Sequence, residues 1–208
     1  MSLLPGTVRV DEAEAALRTP LPARQLMGIH RIHVPAEARP RGYEAWAAPD
    51  RVRRPESTGR PGLWERAVDV IRREPPDHRP CFLHRYVHPG NVFFTGAPAC
   101  GSRASSTGGE TSWGPADLDV AHCSTALALL HGVEEGMRPA DAYVAAGGAL
   151  SDNPADHLYW RVLNALGFAP DTGKAGEPWR ELGRDDLTPG LSASRLEDCL
   201  QELFRTFG

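Results

Sequence analysis

The chain has 208 residues, enough for one domain with a sizeable core or two very small ones. Its 41% hydrophobic content, beside 19 prolines and 21 glycines, describes a folded protein rich in turns rather than a disordered one. A formal net charge of -4 and a pI near 6.1 leave no basic footprint, which argues against nucleic acid as a partner. Cys81, Cys100, Cys123 and Cys199 form no CxxC pair and read as reduced thiols of a cytoplasmic protein. The start of the chain has no basic segment followed by an apolar run. No stretch approaches membrane-spanning length, so neither a leader nor a membrane partner is expected.

In chain order, residues 11–33 carry a helical pattern. Ala13, Ala16 and Leu17 share a face, and Leu26, Ile29 and Ile32–His33 follow an interruption at Pro20 and Pro22. Residues 34–62 hold many prolines and no sustained period, which predicts an irregular connection over the surface. A short helix is expected from Leu63 to about Arg73. Two strand-like runs follow, "CFLHR" and "NVFFTG", split by a His-Pro-Gly loop. Residues 97–112 are small, polar and glycine-rich with no amphipathic pattern.

From there the pattern is helical to the end. In "DLDVAHCSTALALLHG", Val120, Cys123, Leu127 and Leu130 fall on one stripe, with Gly132 as the stop. Three more helices are expected, in "RPADAYVAAGGAL", "PADHLYWRVLNALG" and "SASRLEDCLQELFRTF", the last capped by Ser192 or Ser194. The fold class is therefore α+β, mostly α, with a small β part around residues 81–107.

The stretch "LHRYVHPGNVFF" followed by "SWGPADLDVAHC" resembles the aminoglycoside phosphotransferase family, which has a protein-kinase-like fold. The family loop reads H-x-D-x-x-x-x-N, and His84, Tyr86 and Asn91 stand at its three fixed positions. The chemistry explains that spacing. The Asp accepts the proton of the attacking hydroxyl, and the Asn binds a magnesium bridging the nucleotide phosphates. In "GPADLDVAH" the second aspartate, here Asp119, matches the family residue that braces the loop, as His84 matches another bracing position. "PARQLMGIHRIH" is similar to the helix after the inter-lobe hinge, and "MSLLPG" resembles the hinge itself. The resemblance implies the helical C-terminal lobe of a kinase-like phosphotransferase, with a small β hairpin holding the catalytic loop. It implies ATP and Mg2+ as family cofactors and an aminoglycoside or similar small molecule as substrate. It divides the chain into a hinge remnant (1–10), an irregular connection (34–62), a catalytic-loop and metal-loop region (81–112) and a helical subdomain (113–208).

Three departures from the family pattern bear on activity. The N-terminal β lobe, with its nucleotide clamp and phosphate lysine, is expected to be missing. The proton-accepting Asp is Tyr86, and a phenol with a reference pKa near ~10 is a poor general base at neutral pH. Where the family carries a magnesium-binding aspartate in "GVVDW", this chain has "RASSTGGET", with Thr107 near the aspartate's place. Arg103–Gly108 written as CGG GCG TCG TCG ACT GGG gives Gly-Val-Val-Asp-Trp when read from the third base, which points to a compensated frameshift over residues 97–109. Different codons for Ser105, Ser106 or Thr107 in the coding DNA would remove that idea.

Plainer readings exist for the same residues. Cys81, His84, His88, His122 and Cys123 fit no standard zinc spacing. Asn91 could be a turn residue after Pro-Gly, and Asp117 and Asp119 could cap a helix N-terminus. Trp64, Trp113 and Trp160 suit a core. The expectation is a truncated, inactive family member with weak or no ATP and Mg2+ binding, self-associating through the face left by the missing lobe. The alternatives are a non-catalytic binding or scaffold protein, and a gene-decay product.

Overall fold

A computed structural model of the chain describes residues 6–56, 58–95, 101–104, 110–169 and 171–208. The "MSLLPG" hinge, apart from Gly6, and Thr107 with most of the out-of-frame segment lie outside the described residues. The elements are β1 (Thr7–Val8), α1 (Ala15–Arg18), α2 (Pro20–His30), α3 (Pro61–Ile71), β2 (Pro80–Leu83), β3 (Val92–Thr95), β4 (Gly101–Ala104), β5 (Ser112–Pro115), α4 (Ala116–His131), α5 (Val133–Ala145), α6 (Pro154–Gly167), α7 (Thr172–Glu181) and α8 (Pro189–Phe207). Between α2 and α3 the regular structure is one 3-10 turn, Ala36–Ala38, and an isolated bridge from Gly42 to Trp113.

Proline places several helix starts, because its missing N–H falls where no intrahelical acceptor exists. Pro20 and Pro22 sit in the first turn of α2, so they begin a helix after the short α1 rather than interrupting one. Asn153 caps α6 by accepting the Ala155 N–H (3.0 Å), with Pro154 next. Thr188 does the same for α8 through the Leu191 N–H (3.2 Å), with Pro189 next. The last helix therefore starts before the expected Ser192, which is buried inside it. Helix α7 was not expected, since "TGKAGEPWRE" contains two glycines and a proline that lower helix propensity. Packing overrides propensity there: Trp179 is buried, and Gly176 brings α7 against Ser192 of α8.

Helix α4 is the axis of the lobe. Nearly all its residues are buried, polar Asp119, His122, Ser124 and Thr125 among them, so the helix is enclosed on every side rather than along the expected single stripe. One side, with Leu129 and Leu130, joins the core of α3, α6 and α8; the other, with Val120, Cys123 and Leu127, joins α2, α5 and β3. Gly132, at φ 98°, ends α4 in a conformation that favours glycine.

The two runs flanking the His-Pro-Gly loop do not pair with each other. β2 pairs antiparallel with β5 (Cys81 opposite Gly114), while β3 lies between β1 and β4 (Phe94 opposite Thr7 and Ser102). The loop thus carries the chain between two small sheets, and the hairpin in this region is β3–β4, with β4 inside the 97–112 stretch where no pattern was expected.

Gly136 sets the spacing between α4 and α5. A Cβ there would lie 2.5 Å from the Ala128 Cβ and 2.9 Å from the Ser124 carbonyl oxygen. Gly136→Ala is expected to cost about 1–3 kcal/mol by overpacking, read as a lower urea midpoint. An unchanged midpoint would mean the helices are not this close.

Candidate active site

β2 ends at the fully buried Leu83, and the chain then turns through Arg85 at φ 72°, a left-handed conformation costly for a residue with a side chain. The groups that hold this turn come from elsewhere. Asp119, in the first turn of α4 and 2% exposed, accepts the His84 N–H on Oδ2 (2.7 Å) and the Arg85 N–H on Oδ1 (2.8 Å). Oδ2 also lies 3.1 Å from His30 Nε2, and His30 Nδ1 lies 2.8 Å from the Tyr143 hydroxyl. Burial by itself would raise the Asp119 carboxyl, but His30 and the two backbone donors outweigh it, leaving the group below its usual range. The Arg85 guanidinium donates to the Glu44 carbonyl (3.0 Å) and lies 4.3 Å over the Trp46 ring.

Within the loop, His84 Nδ1 accepts the Tyr86 N–H (3.3 Å). Asn91 Nδ2 donates to the Tyr86 carbonyl (3.2 Å), leaving its Oδ1 as acceptor. His88 faces a donor on each side, the Gly90 N–H at Nδ1 (3.2 Å) and Asn91 Nδ2 at Nε2 (3.0 Å). A neutral imidazole has one acceptor nitrogen, so these donors compete, and a protonated ring would bond neither. Burial, helped by His84, pushes His88 down to about 4.

Two cavities meet at this loop. One of about 540 Å³ is lined by Trp46, Tyr86, His122, Phe168, Lys174 and Trp179, among others. The other, about 370 Å³, is lined by Tyr86, His88, Gly90, Asn91, Glu110, Pro178 and Leu182. Tyr86 and His88 border both. Of the sequence-derived site residues, Tyr86 and Asn91 reach the second cavity, and His84 and Asp119 lie buried behind the loop. His30, Arg85, Trp46, Glu110, His122 and Trp179 were not singled out as site residues. Glu110 carries no local motif, whereas His30 lies inside "PARQLMGIHRIH" and His122 inside "GPADLDVAH".

The donors present suit a metal poorly. Asn91 Oδ1 and the Glu110 carboxylate are the oxygens of the second cavity's side chains apart from the Tyr86 phenol, and Glu110 already pairs with Arg41 (3.3 Å). Magnesium asks for a near-octahedral shell of oxygens, usually with one or two carboxylates. Among the described residues no group of three or more His, Cys, Asp or Glu could hold a metal ion, which leaves the zinc reading without support. Burial pushes the Cys81 and Cys123 thiols up to about 12, far from the thiolate a metal needs.

The sequence profile of the phosphotransferase enzyme family (APH) matches residues 1–105, just over half of the 208. The chain belongs to that family. Its fold resembles that of spectinomycin phosphotransferase APH(9)-Ia, whose crystal structure contains ADP and spectinomycin. The TM-score is 0.60 at 12% identity, over 98% of this chain and 69% of that one. No curated protein matches the sequence. The phosphotransferase-family fold is thus that of the kinase-like helical lobe, and no helix among its described residues is long and apolar enough to cross a membrane.

Two measurements test how this phosphotransferase-family site is held. Asp119→Ala leaves the His84 and Arg85 N–H groups unpaired and should cost about 3 kcal/mol in urea unfolding. Below pH 6.5 the unfolded chain takes up protons that His88 and His122 refuse until about 4 and about 3. The unfolded state then binds more protons, so stability should fall as the pH drops through that window. His122→Phe should flatten the fall, and an unchanged slope would show that His122 does not titrate this way.

Proposed function

We propose that this chain is the helical, acceptor-side lobe of an ATP-dependent small-molecule phosphotransferase, holding an aminoglycoside or similar ligand beside a phosphotransfer loop without efficient transfer. One observation carries this reading: the loop is fully braced by Asp119 and His84, yet the side chain at the base position is Tyr86. A carboxylate there would take the proton of the attacking hydroxyl, whereas a phenol already holds its own.

The surroundings support the same conclusion. Asn91 stands at the family's metal position, but its one carboxylate neighbour in the cavity, Glu110, is committed to Arg41. The only lysine in the sequence, Lys174, lines the larger cavity and pairs with Asp171 (3.7 Å). Transfer depends on positioning and on neutralising charge on the phosphoryl group. These residues supply the first and little of the second. The intact cavity supports retained ligand binding, and ADP and spectinomycin in the similar structure support nucleotide and small-molecule use in the family. The free thiols of Cys81, Cys123 and Cys199 support a reducing, cytoplasmic setting.

The test is phosphoryl transfer from radiolabelled ATP to spectinomycin and to a panel of aminoglycosides, with Mg2+ present. No transfer above the protein-free rate is expected. Turnover by the natural chain that disappears in Asn91→Ala would overturn the proposal.

A further inference from the structure

A third cavity, of about 320 Å³, borders the braced turn at Arg85. Arg41, Glu44, Trp46 and Arg51 reach it from the connection between α2 and α3, Arg85 from the turn after β2, and Glu110 and Ser112 from the entry to β5. Trp46 also lines the larger cavity, so its ring is a wall common to both. Unlike that neighbour, this cavity is built of charge: three guanidinium groups and two carboxylates line it.

The pairing among these groups is incomplete. Arg85 is 3% exposed, and a guanidinium has five N–H donors to place. Nη2 donates to the Glu44 carbonyl, whereas Nη1 has no hydrogen-bond partner. The nearby carboxylates are committed elsewhere, Asp119 to backbone N–H groups and His30, and Glu110 to Arg41 at 3.3 Å. Burial accordingly lowers the Arg85 guanidinium from its ordinary value, more than Asp119 and Glu110 raise it. Ser112 is also 3% exposed, and its hydroxyl finds no partner either. Native proteins rarely leave such groups unpaired without a ligand or water to serve them. Water would satisfy the two atoms but leave the surplus positive charge unanswered.

We propose that this cavity binds a tetrahedral oxyanion of the phosphate class, held by the buried Arg85 and Ser112 and by Arg41 and Arg51 at its exposed rim. These donors arrive from three separate segments, which suits oxygens disposed in four directions better than the flat pair of a carboxylate. The Glu44 carboxylate, also exposed, opposes the anion and keeps its affinity modest. The volume leaves room beyond a phosphoryl group for a small polar body, so free phosphate and a phosphate monoester share this recognition. The site goes beyond the proposed function: it is separate from the acceptor cavity and from Asn91, and its occupancy needs no phosphoryl transfer.

Isothermal titration of the full chain with sodium phosphate tests this, near neutral pH with ionic strength held constant by sodium chloride. Saturable one-to-one binding is expected, with a Kd of about 1 mM or lower. Arg51→Gln, at an exposed position, should weaken it about tenfold, and Ser112→Ala about threefold, each with an unchanged melting temperature. Arg85→Lys keeps the charge but loses the planar fork and should weaken it about tenfold; the other two variants decide if that chain fails to fold. Glycerol 3-phosphate, titrated in parallel, separates the sources. Binding tighter than that of inorganic phosphate assigns the site to an ester, and equal or weaker binding to the free ion. No saturation up to about 10 mM of either probe, or affinities in the variants equal to that of the natural chain, overturns the inference. Either result leaves the acceptor reading in place, because aminoglycoside binding does not enter the readout.

Discussion

The Asp119 carboxylate accepts the backbone N–H groups of His84 and Arg85 and meets His30 in the same buried pocket. Through these contacts the start of α4, the end of β2 and the last turn of α2 become one unit. The left-handed turn at Arg85 is tolerable because two charge-assisted hydrogen bonds and the Glu44 carbonyl over-determine it. Fully buried, the carboxylate would be costly if any of these donors were missing. Its partners are therefore a structural requirement.

The support for the loop is almost wholly independent of the side chain at position 86. Asp119 grips backbone N–H groups of the two preceding residues, His84 accepts the backbone N–H of Tyr86, and Asn91 donates to the Tyr86 carbonyl. The side chain at this point can therefore differ without loosening the frame.

Helix α4 serves both halves of the site with residues on successive turns. Asp119 holds the loop, while His122 and Ala126 line the larger cavity. Because the helix is buried on nearly every side, its position is set by the α3–α6–α8 core on one flank and the α2–α5 core on the other. Gly136 permits the close approach of α5 that completes this arrangement. Packing far from the loop thus fixes where the carboxylate and the ring face stand relative to each other.

The helical lobe and its family were legible in the sequence, and the residues picked by spacing, His84, Tyr86, Asn91 and Asp119, lie together at one loop. An i to i+5 separation and a carboxylate in a helix's first turn are properties of a short segment, readable without neighbours. Strand pairing was not legible: β2 and β3 look like the two arms of a hairpin, and only their partners β5 and β1 show that they belong to different sheets. Helix α7 was hidden for the opposite reason, its weak local propensity being overcome by burial of Trp179. His30 lies 89 residues from Asp119, and Trp46 lies far upstream of the loop it packs against, so no local pattern joins them. The sequence by itself determined the family and the helical content. The tertiary structure alone decided that Trp46, Phe168 and Trp179 line one cavity with Tyr86 and that His30 reaches Asp119, since convergence of distant side chains is a product of packing and not of spacing along the chain.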